Sequence, residues 1–315
     1  MKHSLKITLL LTSIFFFSQI IGLVTVNKYI DYAKTTPEQI KIGNITWQQL
    51  PYSIERPEVS QSNSYLLIFI AILLGTGLLL ILIKYKIYKL WKFWYFLSVM
   101  LCMSIALSAF IKQSYAFLIS LALSLFKIFK PNVYLHNLTE LFVYGGLAAI
   151  FVPIMNLYSV ILVLLLISVY DVWAVFKSKH MAIMANFQTE TNLFAGLLIP
   201  YSNNKLTKFH NKALKTQKPS IIKINTLGKK NSVIVPKQAS TVKNAVLGGG
   251  DIGFPLMFAG VVMKSFGLYK TLLLPVFVTI GLLFLLLYSK EDKFYPAMPV
   301  LTLASFIGYG IILLI

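Results

Sequence analysis

Two aspartates in this chain stand inside apolar runs, where a charge is expensive. Asp171 lies in Ile167-Ser168-Val169-Tyr170-Asp171-Val172-Trp173-Ala174-Val175, and Asp251 in Leu247-Gly248-Gly249-Gly250-Asp251-Ile252-Gly253-Phe254-Pro255. An ionisable group within a membrane span is penalised by about 2.5–3.5 kcal/mol or more, so each marks a functional site by default. The other eight of the ten acidic residues read as loop or helix-border positions. Two carboxyls a few ångströms apart in a low-dielectric site do not both ionise, and such a pair holds one proton. The ionised member can take a proton from water while the protonated one donates to a carbonyl, which is the acid–base chemistry of peptide-bond hydrolysis.

The elements that must position this pair follow from composition. The chain has 315 residues, 57% hydrophobic and 12% charged, with mean hydropathy +0.75. A soluble chain carries about twice that share of charge. Apolar windows predict nine spans, near 7–26, 64–83, 93–111, 114–129, 138–154, 156–176, 245–263, 271–288 and 295–315. The expected fold is therefore an all-α polytopic membrane protein of nine transmembrane helices. Its organisation reads as helices one to six over 1–176, with an outer loop at 27–63, a basic loop over 177–244, and helices seven to nine over 245–315. The 20-residue apolar stretch Ile7 to Val26 reads as a first span rather than a secretory leader, whose apolar region runs to about 7–15 residues.

The net charge of +19 invites a nucleic-acid partner. The lysines, however, cluster between apolar runs and in one long loop, a pattern of membrane topology. With the N-terminus cytoplasmic, 22 of the 29 basic residues fall inside and 7 outside. The split is still 10 to 7 when the long loop is discounted. The expectation is N-terminus cytoplasmic and C-terminus extracellular, in the cell membrane, with no nucleic acid bound.

In that topology Asp171 precedes Lys177 by six residues, ~9 Å of helix, and Asp251 follows Lys243 by eight, ~12 Å. The two helices run in opposite directions, so both acids reach matching depth in the cytoplasmic leaflet. The glycines at 248, 249, 250 and 253 loosen the helix start and clear side chains from the acid. The basic loop carries β-prone runs at 193–200, Ile221-Ile222-Lys223-Ile224 and Val233-Ile234-Val235-Pro236. Val233, Ile234 and Val235 form the candidate edge on which an unwound substrate pairs by strand addition. Pro296-Ala297-Met298-Pro299 makes an irregular entry to the last span at the same membrane face.

Tyr170-Asp171, Gly248-Gly249-Gly250-Asp251 and Pro296-Ala297-Met298-Pro299 resemble the Tyr-Asp, Gly-x-Gly-Asp and Pro-Ala-Leu motifs of the presenilin and signal peptide peptidase family. They stand in that family's order, and the run from Asp171 to Met181 is similar to archaeal members. The resemblance implies an intramembrane aspartyl endopeptidase with Asp171 and Asp251 catalytic. It makes Tyr170, the three glycines and the Pro-Ala-Met-Pro turn site-shaping, and implies transmembrane-helix substrates. Met298 stands where the family usually has Leu, a volume-conserving change. The N-in orientation matches presenilins rather than signal peptide peptidases. Small size and short loops favour an enzyme working without accessory subunits, as a monomer or homo-oligomer.

Other chemistries lack their residues. There is no His-Glu-x-x-His and no Gly-x-Ser-x-Gly, and His3, His136, His180 and His210 have no metal-ligand spacing, so neither metal nor cofactor is expected. Aromatic clusters at Phe15-Phe16-Phe17 and Trp91–Tyr95 read as lipid-facing or interfacial belts. An ion-coupled secondary transporter is the alternative use of paired membrane acids, although such sites lie near the midplane within repeats.

Overall fold

The structure, a computed structural model, describes residues 4–178, 187, 193–201, 243–289 and 295–315. The apolar runs fold as helices because only internal hydrogen bonding satisfies a backbone placed in lipid. They are α1 (Leu5–Lys28), α3 (Ser64–Lys84), α4 (Tyr88–Ser108), α5 (Gln113–Phe129), α6 (Val133–Phe151), α7 (Leu157–Trp173), α8 (Gly249–Thr271), α9 (Leu273–Tyr288) and α10 (Met298–Leu314), with a short α2 (Pro37–Lys41) in the outer loop. Six of these are long and apolar enough to cross a membrane; α5, α9 and α10 are shorter apolar helices of 16–17 residues.

Side-chain caps set several helix starts. Asn132 accepts from Tyr134 N at 2.9 Å to open α6, and Asn156 accepts from Ser159 N at 2.8 Å to open α7. The outer loop is a folded segment. It holds the α2 capping box of Thr36 and Gln39, a bridge between Ile30 and Trp47, and Tyr52 reaching Ser104 Oγ at 2.7 Å. Tyr29, at the end of α1, donates to Ile105 O at 2.7 Å, and burial pushes its phenol up, so it remains a donor.

The core helix is α8. In its most apolar window 67% of residues are buried, against 11% in α3, which lies at the edge of the bundle. Around α8 pack α1, α6, α7, α9 and α10. Without a hydrophobic force between helices in lipid, close approach depends on small residues. A Cβ on Gly146 would fall 1.8 Å from the Cys102 carbonyl oxygen, so α4 and α6 meet backbone to backbone there. Gly146→Ala is expected to destabilise the purified protein by about 1–3 kcal/mol or more in a denaturant titration. Gly77→Ala, with nothing within 4 Å of the added Cβ, should instead be neutral or stabilise by up to ~1 kcal/mol.

Four expectations change. The seventh helix begins at Gly249 rather than 245, because Lys243–Gly248 forms a strand, β2, antiparallel to β1 (Gly196–Tyr201). That strand straddles the boundary read between the loop and the last three helices. The alternation Asn244-Ala245-Val246-Leu247 satisfies its backbone by pairing, and its apolarity had read as helix. Gly196, at φ +142, opens β1, where a Cβ would lie 2.1 Å from Leu247 O.

Glu140 is not a border residue. It is 2% exposed, inside the bundle, and paired with the equally enclosed Lys127. The aromatic belts are divided between two environments. Phe15 and Tyr95 are buried in the core, while Phe17, Phe93 and Trp94 face outward. Finally, the glycines at 248–250 do not break the helix start: Gly248 is its N-cap at φ −64, and the non-helical residue inside α8 is Gly267 at φ +72.

Candidate active site

Asp171 sits in the last turn of α7 and Asp251 is the third residue of α8, so the helices deliver both carboxyls to one end of the bundle. Asp171 is 8% exposed, and its carboxylate lies within Coulombic range of Asp251. Each acid is held by backbone. Met298 N donates to Asp171 Oδ2 at 3.0 Å, and the Ala297 N–H also reaches this carboxylate. The Pro-Ala-Met-Pro turn therefore acts through its peptide groups, presenting unpaired N–H donors at the start of α10 to the acid on α7. Pro299 lies in the first turn of α10, where a missing N–H costs nothing. Pro296 precedes the helix and is part-buried.

Asp251 accepts from the Gly248 N–H. This is the reach-back half of a capping box, an acid at the third helical position bonding the N-cap amide. The α8 dipole favours negative charge at the same place. Pro255 removes the N–H that would bond the Asp251 carbonyl, so the first turn is freed from part of the helical ladder. Gln19 of α1 donates to Ile252 O at 2.9 Å and ties this turn to the core. A Cβ on Gly248 would stand 3.3 Å from Asp251 Oδ2, so glycine there keeps the carboxyl open. Tyr170 is half-buried on α7 near Trp173, ring centroids 6.1 Å apart.

Beside the pair lies a cavity of about 1320 Å³, walled by the Gly248–Asp251 turn, Phe254, Ala297, and leucines of α3 and α9. Asp251 lines it; Asp171 does not. Lys127, His136, Glu140, Tyr144 and Tyr95 also line it. Tyr144 Oη donates to Glu140 Oε2 at 2.5 Å, and Tyr95 Oη donates to Phe194 O at 2.9 Å. This polar cluster went unread in the sequence. The signal was present: opposite charges at 127 and 140 flank the Pro131-Asn132 turn between two apolar runs.

The β1–β2 pair forms the rim. Gly249 N extends the ladder by donating to Ala195 O at 3.0 Å. The outer edge of β1 is covered by α6 side chains: Asn137 bonds both N and O of Leu198, and His136 Nε2 lies 2.8 Å from Gly196 O. The outer edge of β2 has no strand partner among the described residues. Val233, Ile234 and Val235 lie outside the described residues. No group of three or more potential metal ligands occurs among the described residues.

Comparison with solved structures finds the same fold in a presenilin family intramembrane aspartate protease, in two crystal forms. In the C222 form the match has 18% identity and TM-score 0.55, over 96% of this chain and 97% of that one. In the P2 form it has 17% identity and TM-score 0.55, over 96% of each chain. No curated protein matches the sequence. The family model described as "Signal-peptide peptidase, presenilin aspartyl protease" matches residues 43–315, which include both aspartates, the three-glycine turn and the Pro-Ala-Met-Pro segment. The chain belongs to the signal-peptide peptidase and presenilin family of aspartyl proteases.

Proposed function

We propose that Asp171 and Asp251 are the catalytic pair of an endopeptidase that cuts transmembrane-helix substrates within the bilayer. The observation that carries this reading is the meeting of two carboxyls at the facing ends of antiparallel α7 and α8, beside a cavity that can admit peptide. With one proton on the pair, the ionised carboxylate draws a proton from water as it attacks, and its partner protonates the carbonyl oxygen. Backbone donors at Met298 and Gly248 hold the two acids, so no reorganisation is needed when charge moves.

A transmembrane helix hides its peptide bonds in its own hydrogen bonds and must unwind to be cut. The edge of β2 that has no strand partner among the described residues, ending at Gly248 next to Asp251, supports capture of the unwound segment as an added strand. Val233, Ile234 and Val235, outside the described residues, remain the candidate edge within the basic loop. All nine apolar helices span the cell membrane in this reading, with the N-terminus cytoplasmic, the C-terminus extracellular and the pair in the cytoplasmic leaflet. The enzyme acts without accessory subunits, as a monomer or homo-oligomer.

The test is incubation of the purified protein in detergent or bilayers with a reporter transmembrane helix, followed from pH 4 to pH 10. Fragments are expected, with a bell-shaped profile. At low pH both carboxyls are protonated and no base remains; at high pH both ionise and no acid remains. A rate that climbs steadily to pH 10 contradicts a one-proton pair.

A further inference from the structure

Tyr144 is a buried phenol that hydrolysis itself does not require. One side of it is anchored. Its hydroxyl donates to Glu140 Oε2 at 2.5 Å, and the other oxygen of Glu140 holds Lys127 and a 3.4 Å contact from Tyr95. Its other side meets the glycine turn. A Cβ built on Gly249 would stand 2.6 Å from Tyr144 Oη and 3.2 Å from Cε1 and Cζ. One helical turn on, a Cβ on Gly253 would lie 3.7 Å from Tyr144 Cδ1. Residues 249 and 253 share one face of α8, so the phenol lies along the turn that carries Asp251.

The neighbouring glycines differ. A side chain at 248 would meet only the Asp251 carboxyl, and one at 250 only the Phe254 ring. The tip of a tyrosine ordinarily swings away from an added methyl group. Here it would first have to leave a buried carboxylate, breaking a charge-assisted hydrogen bond. Gly249 is thus pressed against a fixed stop.

We propose that Tyr144, anchored on Glu140, is a positioning residue that sets the Gly249 peptide and through it the place of the Asp251 carboxyl. The inference rests on Asp251 being a member of the catalytic pair. Hydrolysis is sensitive to such placement, since an error of about 1 Å can lower a rate about 100-fold.

The experiment measures kcat, KM and Tm for wild type, Gly249→Ala, Tyr144→Phe and the double variant, with Asp251→Asn as the chemical control. Gly249→Ala should lower kcat by about 10- to 100-fold with KM within about twofold. Tyr144→Phe removes the atom at 2.6 Å and its anchor, so kcat in this variant should fall several-fold. In the double variant the methyl group meets only ring carbons that are free to shift, and kcat should recover at least several-fold over Gly249→Ala. Tm should show the same coupling. If Gly249→Ala lowers kcat and Tm by equal factors in both backgrounds, Tyr144 does not set the turn. Cleavage retained by Asp251→Asn would instead overturn the pair assignment, and with it the consequence for kcat. Those two failures are distinguishable.

Discussion

Asp251→Asn and Asp171→Asn are each expected to lower cleavage of a membrane-embedded reporter by about 10⁴-fold, the full range attributed to positioned acid–base groups. Asparagine matches aspartate in size and keeps an acceptor oxygen. In Asp171→Asn that oxygen can still take the Met298 N–H that now binds at 3.0 Å. In Asp251→Asn it can still take the Gly248 N–H. What each variant loses is the ability to exchange a proton with water or the scissile carbonyl. Stability should therefore equal or exceed that of wild type, because a desolvated acid has been replaced by a neutral group. The double variant should be no slower than either single one, since the two acids act as a unit. A single variant that keeps more than about 1% of wild-type rate, while folded, would remove that residue from the chemistry.

The pair was legible because the cost of a charge in lipid is local. Asp171 and Asp251 announce themselves by their neighbours alone, and the antiparallel order of their helices follows from counting apolar runs. The backbone donors were not legible. That Met298 N–H meets Asp171 depends on how α10 packs on α7, across 127 positions of chain, and a peptide group leaves no mark in the residue types. Strand β2 was hidden for a different reason. Asn244-Ala245-Val246-Leu247 suits a buried strand and the start of a helix equally well, and periodicity over four residues does not separate them. Only pairing with Gly196–Tyr201 decides it. Glycine 249 shows the same limit from the other side. Its presence was plain, but the reason for it lies in Tyr144, a hundred residues away, anchored by an acid that had read as a border residue.

Breaking the Lys127–Glu140 pair, by contrast, is expected to cause a large loss of stability. Lys127 is 4% exposed and Glu140 2%, so removal of one leaves the other desolvated and without its countercharge. Lys127→Met and Glu140→Leu should each cost about 3–5 kcal/mol in a denaturant titration, the range found when a buried pair loses one partner. Lys127→Met/Glu140→Leu should recover most of that loss, because neither charge then has to be held away from water. Activity should not follow. The double variant leaves Tyr144 Oη without the acceptor it now reaches at 2.5 Å, a deficit of about 1–3 kcal/mol for a buried donor and a phenol no longer fixed against Gly249. Stability restored with kcat still depressed would separate the two tasks of Glu140: neutralising Lys127, and holding the tyrosine. If both return together, the cluster serves the fold alone. If neither returns, the charges are needed for the hairpin of α5 and α6 to assemble, and the polar wall of the cavity is a folding element first.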